Sequence, residues 1–173
     1  MLDELILSLD KSIIDKKTLG TQRYLFYQQV SICFPENFYE LSAEKVKERY
    51  SVEPRPSILY SDETGTINFG FHLLEGQNIS LSISLSKIKD AIKMVYPNTL
   101  IYEEETISSE QKNYEISYFD FRTSSLEGAI YNILYLVSNK KKVVMGTFNC
   151  IFEKYLNWKP TAIEVIKTIT IKD

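Results

Sequence analysis

Few residues in this chain could carry out covalent chemistry. The 173 residues include one histidine, His72, and two cysteines, Cys33 and Cys150. A nucleophilic thiol needs a base beside it, so a pair of His72 with either cysteine is the arrangement that could support covalent catalysis. Neither cysteine lies in a signature of a known cysteine enzyme, and the chain has no Gly-x-Ser-x-Gly elbow. The sequence therefore favours two free buried thiols in a reducing compartment and predicts no catalytic residue.

Residues that could hold a metal ion or a nucleotide are equally scarce. One histidine and two distant cysteines leave metal binding to carboxylates, and no Asp-x-Asp-x-Asp loop is present. The six glycines are isolated, whereas a phosphate cradle needs a Gly-rich turn before a helix. Glu103, Glu104 and Glu105 fall on a predicted strand, which sends Glu104 to the face opposite the other two. A solvated strand edge is favoured over an acid/base pair, and neither a cofactor nor a metal is predicted.

The composition indicates a folded domain without affinity for nucleic acid. The formal net charge is -3, from 20 basic and 23 acidic residues spread along the chain, which provides no positive patch for a phosphate backbone. Twelve Tyr and nine Phe suit a sheet-rich interior. No segment reaches the roughly 18 to 20 apolar residues that a transmembrane helix needs. Asp3 and Glu4 stand where a signal peptide needs positive charge, so we expect a cytoplasmic location.

Hydrophobic periodicity predicts the secondary structure that must position these residues. We expect an N-terminal arm or short helix at 1–20 and a single α+β domain at 21–173. A short helix follows the capping residue Ser42, a second covers 84–96 with an apolar stripe that ends at Val95, and a third begins at Pro160. We expect an antiparallel sheet of about six strands beneath the helices, formed from the predicted strand segments 24–34, 57–60, 66–74, 100–107, 114–122, 129–137 and 142–149.

The last predicted hairpin is apolar on both faces. A turn at Asn139 and Lys140 would pair Tyr135 with Val144 and Tyr131 with Phe148. One face would then carry the aromatic residues Tyr131, Tyr135 and Phe148, and the other would carry Leu134, Leu136, Val143 and Met145. If the helices cover the aromatic side only in part, it is a partner-binding face. The buried stripe of the terminal helix is expected to be Ala162, Ile163, Ile166 and Ile169. If this helix instead buries the aromatic side, Ile163, Ile166 and Ile169 contact it, and no surface remains for a partner.

The single tryptophan, Trp158, lies just before the predicted terminal helix, and Cys150 lies at the end of the last strand. An indole is large and needs only one partner for its N–H group, so it can lie across the junction of a helix and a sheet. We therefore interpret Trp158 and Cys150 as a structural clamp between the two elements.

Four segments together resemble a known family. They are "FPENF" after the first strand, "YPNTLIYEEE" after the middle helix, "YEISYFDF", and "VVMGTFNCIFEKYLNWKPTAIEVIKTI" at the end. This pattern, which covers residues 24–171, resembles the PsbP-like superfamily and, within it, the bacterial DcrB-like branch that includes the Eag chaperones of type VI secretion. The resemblance implies an α/β/α sandwich used as a binding scaffold, for which enzymes are not the norm.

The sequence therefore favours a non-enzymatic protein- or peptide-binding scaffold of bacterial type, such as a secretion-related chaperone or an immunity-type protein. The expected partner is another protein or peptide, or a second copy of the chain in a homodimer. Two alternatives are a Cys/His-based enzyme and a small-apolar-ligand binding module. A deep, closed apolar pocket would be the sign of the latter.

Overall fold

The structure is a computed structural model that describes residues 19–76, 79–109 and 114–173. Residues 1–18 of the predicted N-terminal arm lie outside the described residues. The described helices are α1 (Ala43–Arg49), α2 (Leu81–Val95) and α3 (Tyr155–Lys167), and a 3-10 turn at Phe152–Lys154 precedes α3. The described strands are β1 (Thr21–Leu25), β2 (Val30–Phe34), β3 (Phe38–Glu40), β4 (Ile58–Asp62), β5 (Ile67–Glu75), β6 (Leu100–Ser109), β7 (Tyr114–Ser125), β8 (Gly128–Ser138), β9 (Lys142–Ile151) and β10 (Thr170–Ile171).

Seven strands form one antiparallel sheet, in the order β3-β4-β5-β9-β8-β7-β6. Strands β1, β2 and β10 form a second, small antiparallel sheet with β2 in the middle. The predicted α+β class and the antiparallel sheet covered by helices are confirmed. The large sheet gains a strand because residues 38–40 pair with β4, a segment too short to give a periodic signal in the sequence.

One side of the large sheet, which we call the aromatic face, is covered by α3 and by the small sheet. Phe34 of β2 places its ring centroid 5.5 Å from that of Phe69 and 6.1 Å from that of Phe71, both on β5. Ala162, Val165 and Ile166 of α3 are buried in the same cluster. The aromatic face includes the buried residues Phe69, Phe71, Tyr131, Tyr135 and Phe148.

The other side of the large sheet is covered by α2. Leu81 and Leu85 of this helix are buried against a separate apolar cluster on β7, β8 and β9. Ser80 starts α2, because its Oγ accepts the backbone N–H of Ile83 at 3.5 Å. The cluster contains Phe119, Phe121, Leu134, Leu136 and Val143. Both faces of the predicted hairpin are therefore covered, in the face assignment expected from the sequence.

The predicted strand 24–34 is in fact a hairpin. Phe26, Tyr27 and Gln28 have φ values of 51°, 54° and 67°, and the N–H of Gln29 donates to the carbonyl of Phe26 at 3.1 Å. This turn contains no Gly, Asn or Pro, so the usual turn signal is missing from the sequence. The chain reverses there because both β1 and β2 place apolar residues, Leu25 and Val30 among them, in the core under α3.

The β8–β9 register differs by two residues from the prediction. Tyr135 pairs with Gly146 and Tyr131 with Cys150, because the connection takes four residues between Ser138 and Val143. The Asn139 side-chain oxygen accepts the N–H groups of residues 141 and 142, and Lys140, with φ 72°, is the residue in the left-handed region. A shift of two residues keeps each side chain on its face, so the face assignment survives the error.

Two helices start earlier than predicted. The N-cap at Ser80 brings the start of α2 to Leu81. Helix α3 starts at Tyr155, so Trp158 lies inside it and Pro160 occupies its second turn. The 3-10 turn at Phe152–Lys154 leads directly into the helix, which therefore begins before Pro160. The helix continues through Pro160, which has no backbone N–H to donate. The buried stripe of α3 includes Ala162 and Ile166, as predicted, and also Val165.

Candidate functional site

The proposed partner-binding face of Tyr131, Tyr135 and Phe148 is not a surface. All three side chains are 0% exposed. The Tyr131 ring lies 5.1 Å from that of Tyr155, and the Phe148 ring lies 6.5 Å from that of Trp158, both on α3. The terminal helix and the small sheet thus cover the aromatic face completely. The interpretation of these three residues as a binding site is corrected accordingly, because no partner could reach them.

The side chain of Trp158, a residue of α3, packs against two strands of the large sheet. Its ring centroid is 5.7 Å from that of Phe38 on β3 and 6.5 Å from that of Phe148 on β9, and the side chain is 8% exposed. Cys150 lies one residue before the end of β9, on the same face, and is buried as a free thiol. Burial raises the pKa of Cys150 to about 12, so this thiol stays protonated and does not act as a nucleophile at neutral pH.

The structure separates the residues of the Cys/His alternative. His72 pairs with Met145 and Cys150 pairs with Ile67, five residues away along the same two strands. An odd separation of five positions places the two side chains on opposite faces of the sheet. Cys33 lies in the small sheet, opposite Gln22. Neither thiol therefore has His72 as a base.

His72 has a local structural contact instead. Its Nδ1 lies 3.0 Å from the Ser57 hydroxyl oxygen, next to β4. Burial lowers the pKa of His72, and the nearby charge of Glu53 opposes this effect. The imidazole is therefore neutral at pH 7. Among the described residues, no group of three His, Cys, Asp or Glu side chains could hold a metal ion.

The three glutamates lie on β6, an edge strand of the large sheet, and face as predicted. Glu104 pairs with Lys89 of α2, on one side of the sheet. Glu103 pairs with Lys159 of α3 at 2.7 Å, and Glu105 accepts the Tyr118 hydroxyl, both on the other side. Each carboxylate has a partner of its own, which is the arrangement of a solvated edge.

Asp120 forms a buried polar centre under α3 that the sequence analysis did not identify. Its Oδ1 accepts the N–H of Glu103 at 2.7 Å, and its Oδ2 accepts the Tyr131 hydroxyl at 2.7 Å and lies 2.8 Å from Lys159 Nζ. The N–H of Glu103 is available because the β6–β7 register shifts between Ile101 and Glu104. The sequence did contain a sign of this centre. Asp120 stands between aromatic residues in "YFDF", and a carboxylate on a buried strand needs hydrogen-bond or ion-pair partners.

Exposed apolar residues are concentrated where α2 ends and β6 begins. We call this set the edge patch, and it consists of Met94, Val95, Tyr96, Leu100 and Tyr102. The N–H of Thr99 donates to the carbonyl of Tyr96 at 3.0 Å, so a tight turn holds the patch together. The side chain of Met94 is 83% exposed, and that of Val95, which was predicted to be buried, is 69% exposed. Three consecutive apolar residues at 94–96 cannot all face the sheet from one helix, so the sequence already indicated that some of them are exposed.

No protein-family model matches the chain, and no curated protein matches its sequence. Similarity appears in solved structures. The cyanobacterial PsbP protein (CyanoP) of Synechocystis aligns with a TM-score of 0.66 over 88% of this chain and 92% of that chain, at 7% identity. LpqN, which is involved in cell envelope biogenesis of Mycobacterium tuberculosis, aligns with a TM-score of 0.56 over 88% and 90%, at 12% identity.

A protein of unknown function from Pseudomonas aeruginosa aligns with a TM-score of 0.51 over 89% of this chain and 99% of that chain, at 9% identity. At such identities the similarity shows the fold alone.

No described helix is long and apolar enough to cross a bilayer. The chain thus has the PsbP-like fold that its sequence motifs resemble, with a large antiparallel sheet between helices.

Proposed function

We propose that the protein is a non-enzymatic scaffold that binds an extended segment of a partner protein at β6 and the edge patch. The main observation in support of this proposal is the edge patch. Isolated apolar residues are common on protein surfaces, but five within nine consecutive residues form a concentration of the kind that marks an interaction site.

The edge of the sheet supplies the main-chain groups for such an interaction. No described strand pairs with the outer side of β6. From Glu104 to Ser109 the strand is in regular register with β7, so every second residue directs its N–H and C=O groups away from the sheet. An added strand would bond to these groups and place alternate side chains on the edge patch.

The charge of β6 favours a partner over a second copy of the chain. Antiparallel pairing of two β6 strands would bring six glutamates together, two sets of Glu103, Glu104 and Glu105. Lys89 and Lys159 offset only part of this negative charge. A segment that alternates apolar residues with Lys or Arg would instead gain attraction from the same carboxylates.

A peptide selection tests the proposal. A random display library of ten-residue peptides, the length of β6, is selected on the immobilised full chain. We expect the enriched peptides to alternate β-branched or aromatic residues with Lys or Arg. Hydrogen exchange of the amides in 104–109 should slow when such a peptide binds. Light scattering on the free protein tests the homodimer, and a dimer that dissociates when β6 is altered would overturn the assignment of a heterologous partner.

The edge patch has a matched control on α2, the helix that also carries Met94 and Val95 of the patch. Leu100→Ser combined with Tyr102→Ser should weaken binding of the selected peptide by about tenfold or more, since two buried contacts are lost. Ile83→Ser removes an equally exposed apolar residue near the start of α2 and should leave the affinity unchanged. Equal affinity of the double variant and the unaltered chain would refute the proposed site, as would a selection without enrichment.

The finer assignments are also proposals. The motifs that resemble the DcrB-like branch support a bacterial origin and a role as a secretion-related chaperone or immunity-type protein. The two free cysteines, Cys33 and Cys150, support a reducing compartment such as the cytoplasm. Fractionation of the source cells tests the location, and recovery in the envelope fraction would contradict it.

A further inference from the structure

Strand β6 carries a β-bulge where it leaves the edge patch. The β6–β7 register shifts between Ile101 and Glu104. Tyr102 and Glu103 therefore stand opposite a single residue of β7, Asp120. A bulge interrupts the ladder and bends its strand, so an added strand cannot pair regularly across it. The outer side of β6 is thus open to pairing along 104–109 and closed at the bulge.

A buried carboxylate fixes this bulge. Asp120 is 1% exposed, and its Oδ1 accepts the N–H of Glu103 at 2.7 Å. Its Oδ2 accepts the Tyr131 hydroxyl at 2.7 Å and lies 2.8 Å from Lys159 Nζ. A polar network whose members are all satisfied is rigid, so the bulge keeps its position whether or not the edge is occupied. The fold itself therefore sets where the pairable stretch of β6 ends.

The glutamates beside the bulge differ in how their charges are balanced. Glu103 and Glu104 each pair with a lysine of a covering helix. Glu105 accepts the hydroxyl of Tyr118 and forms no ion pair with a described residue. The carboxylate of Glu105 is therefore the one that remains available to a basic side chain on an added strand.

We propose that the bulge sets the register of the partner, an inference that rests on the proposed addition of a strand at β6. The partner segment pairs only along 104–109 and carries Lys or Arg opposite Glu105. About two to four positions from this basic residue, it places a large apolar residue on the edge patch beyond the bulge. Residues opposite each other on one face of a sheet are in direct contact, so Glu105 selects the basic residue. Asp120 is a positioning residue, because it acts through the N–H of Glu103.

Hydrogen exchange measures the register. The selected peptides are bound to the full chain, and amide exchange is followed along 100–109. We expect slower exchange at alternate amides within 104–109 and unchanged exchange at 100–103. Protection that extends through 100–103 would overturn the inference, because the bulge would then not end the pairing.

Asp120→Ala frees the bulge, and Tyr131→Phe is its control. Both changes remove hydrogen bonds from the same buried centre and should lower stability, but only the first releases the N–H of Glu103. We expect Asp120→Ala to spread the protection beyond 104–109, whereas Tyr131→Phe should keep the pattern of the unaltered chain. Circular dichroism checks that both variants are folded. An unchanged pattern in folded Asp120→Ala would show that Asp120 does not set the register.

A charge reversal tests the basic position and leaves the bulge intact. Glu105→Lys should weaken binding of the selected peptide by about tenfold, and the same peptide with its basic residue changed to Glu should bind this variant with restored affinity. Glu75→Lys makes the same change of charge at an exposed position at the end of β5 and should leave the affinity unchanged. Calorimetry measures all of these affinities. Equal weakening by both variants would mean that overall charge, and not a contact at Glu105, attracts the partner.

The outcomes separate the register from the binding itself. A selection that enriches no peptide removes both the strand addition and the inference that rests on it. Peptides that depend on Leu100 and Tyr102, but have no fixed basic position and no boundary at the bulge, would overturn the register and leave the strand addition in place.

Discussion

At the scale of single residues, two buried tyrosines of the aromatic face differ in the partner of their hydroxyl group. Tyr131 donates to Asp120 at 2.7 Å, whereas the hydroxyl of Tyr135 has no hydrogen-bond partner among the described residues. Tyr135 packs so closely on Gly146 that a Cβ atom there would lie 2.2 Å from its hydroxyl oxygen. Burial raises the pKa of both tyrosines, and the hydrogen bond to Asp120 adds to the effect at Tyr131.

We expect the two Tyr→Phe changes to have opposite effects on stability. Tyr135→Phe removes a buried hydroxyl without a partner and should raise the free energy of unfolding by about 1 kcal/mol. Tyr131→Phe removes a hydrogen bond to a charged group and should lower it by about 2 kcal/mol. Urea denaturation measures both. A loss of stability in Tyr135→Phe as large as that in Tyr131→Phe would mean that its hydroxyl has a partner after all.

At the scale of elements, Lys159 connects α3 to the edge strand β6. Its Nζ lies 2.8 Å from Asp120 Oδ2 and 2.7 Å from Glu103 Oε2. Burial alone would lower the pKa of Lys159, but the hydrogen bonds and charges of the two carboxylates outweigh it and raise this pKa above 10.5. Lys159 thus joins α3 to both β6 and β7 through the two carboxylates.

Lys159→Met should destabilise the protein in a pH-dependent way. At pH 7 we expect the free energy of unfolding to fall by about 2 kcal/mol, less than for a fully enclosed ion pair because the lysine side chain keeps 23% exposure. Since the folded pKa is raised, this contribution is complete below pH 10.5 and is lost as the pH rises through the folded value. The difference between variant and unaltered chain should therefore shrink above pH 10.5.

Lys167→Met is the control for this experiment. Lys167 pairs with Glu164 on the exposed side of the same helix, at 3.3 Å, and surface pairs of this kind contribute about 0.5 kcal/mol or less. Urea unfolding at a series of pH values measures both variants. A deficit in Lys159→Met that stays constant into the alkaline range would show that packing of the lysine stem, and not its charge, holds α3.

At the scale of the whole molecule, α3 closes the core, and its Trp158 packs against both β3 and β9. Trp158→Ala should lower the free energy of unfolding by about 3 kcal/mol or more, because a cavity forms between Phe38 and Phe148. Leu156→Ala, at an exposed position of the same helix, should cost about 0.5 kcal/mol or less. Thermal unfolding followed by circular dichroism compares them, and equal melting temperatures would show that Trp158 does not hold the helix.

Local backbone geometry made much of the fold predictable. Side chains alternate along a strand and recur every 3.6 residues along a helix whatever surrounds them, so the elements and their apolar faces follow from periodicity. The prediction that Tyr131, Tyr135 and Phe148 share one face was therefore correct, although the predicted register was off by two residues. Ser42 and Pro97 marked helix ends for the same reason, since capping depends on neighbours in sequence.

Only the tertiary structure decided which faces were covered and which residues met. Tyr131, Tyr135 and Phe148 are core and not surface because α3 folds back on them and because β2, which is distant in sequence, packs in the same cluster. The contact between Trp158 and Phe38 joins positions 120 residues apart, and the centre at Asp120 joins four elements, β6, β7, β8 and α3. Such contacts depend on where the chain folds back, which is set by the sum of many weak long-range interactions and not by any local pattern.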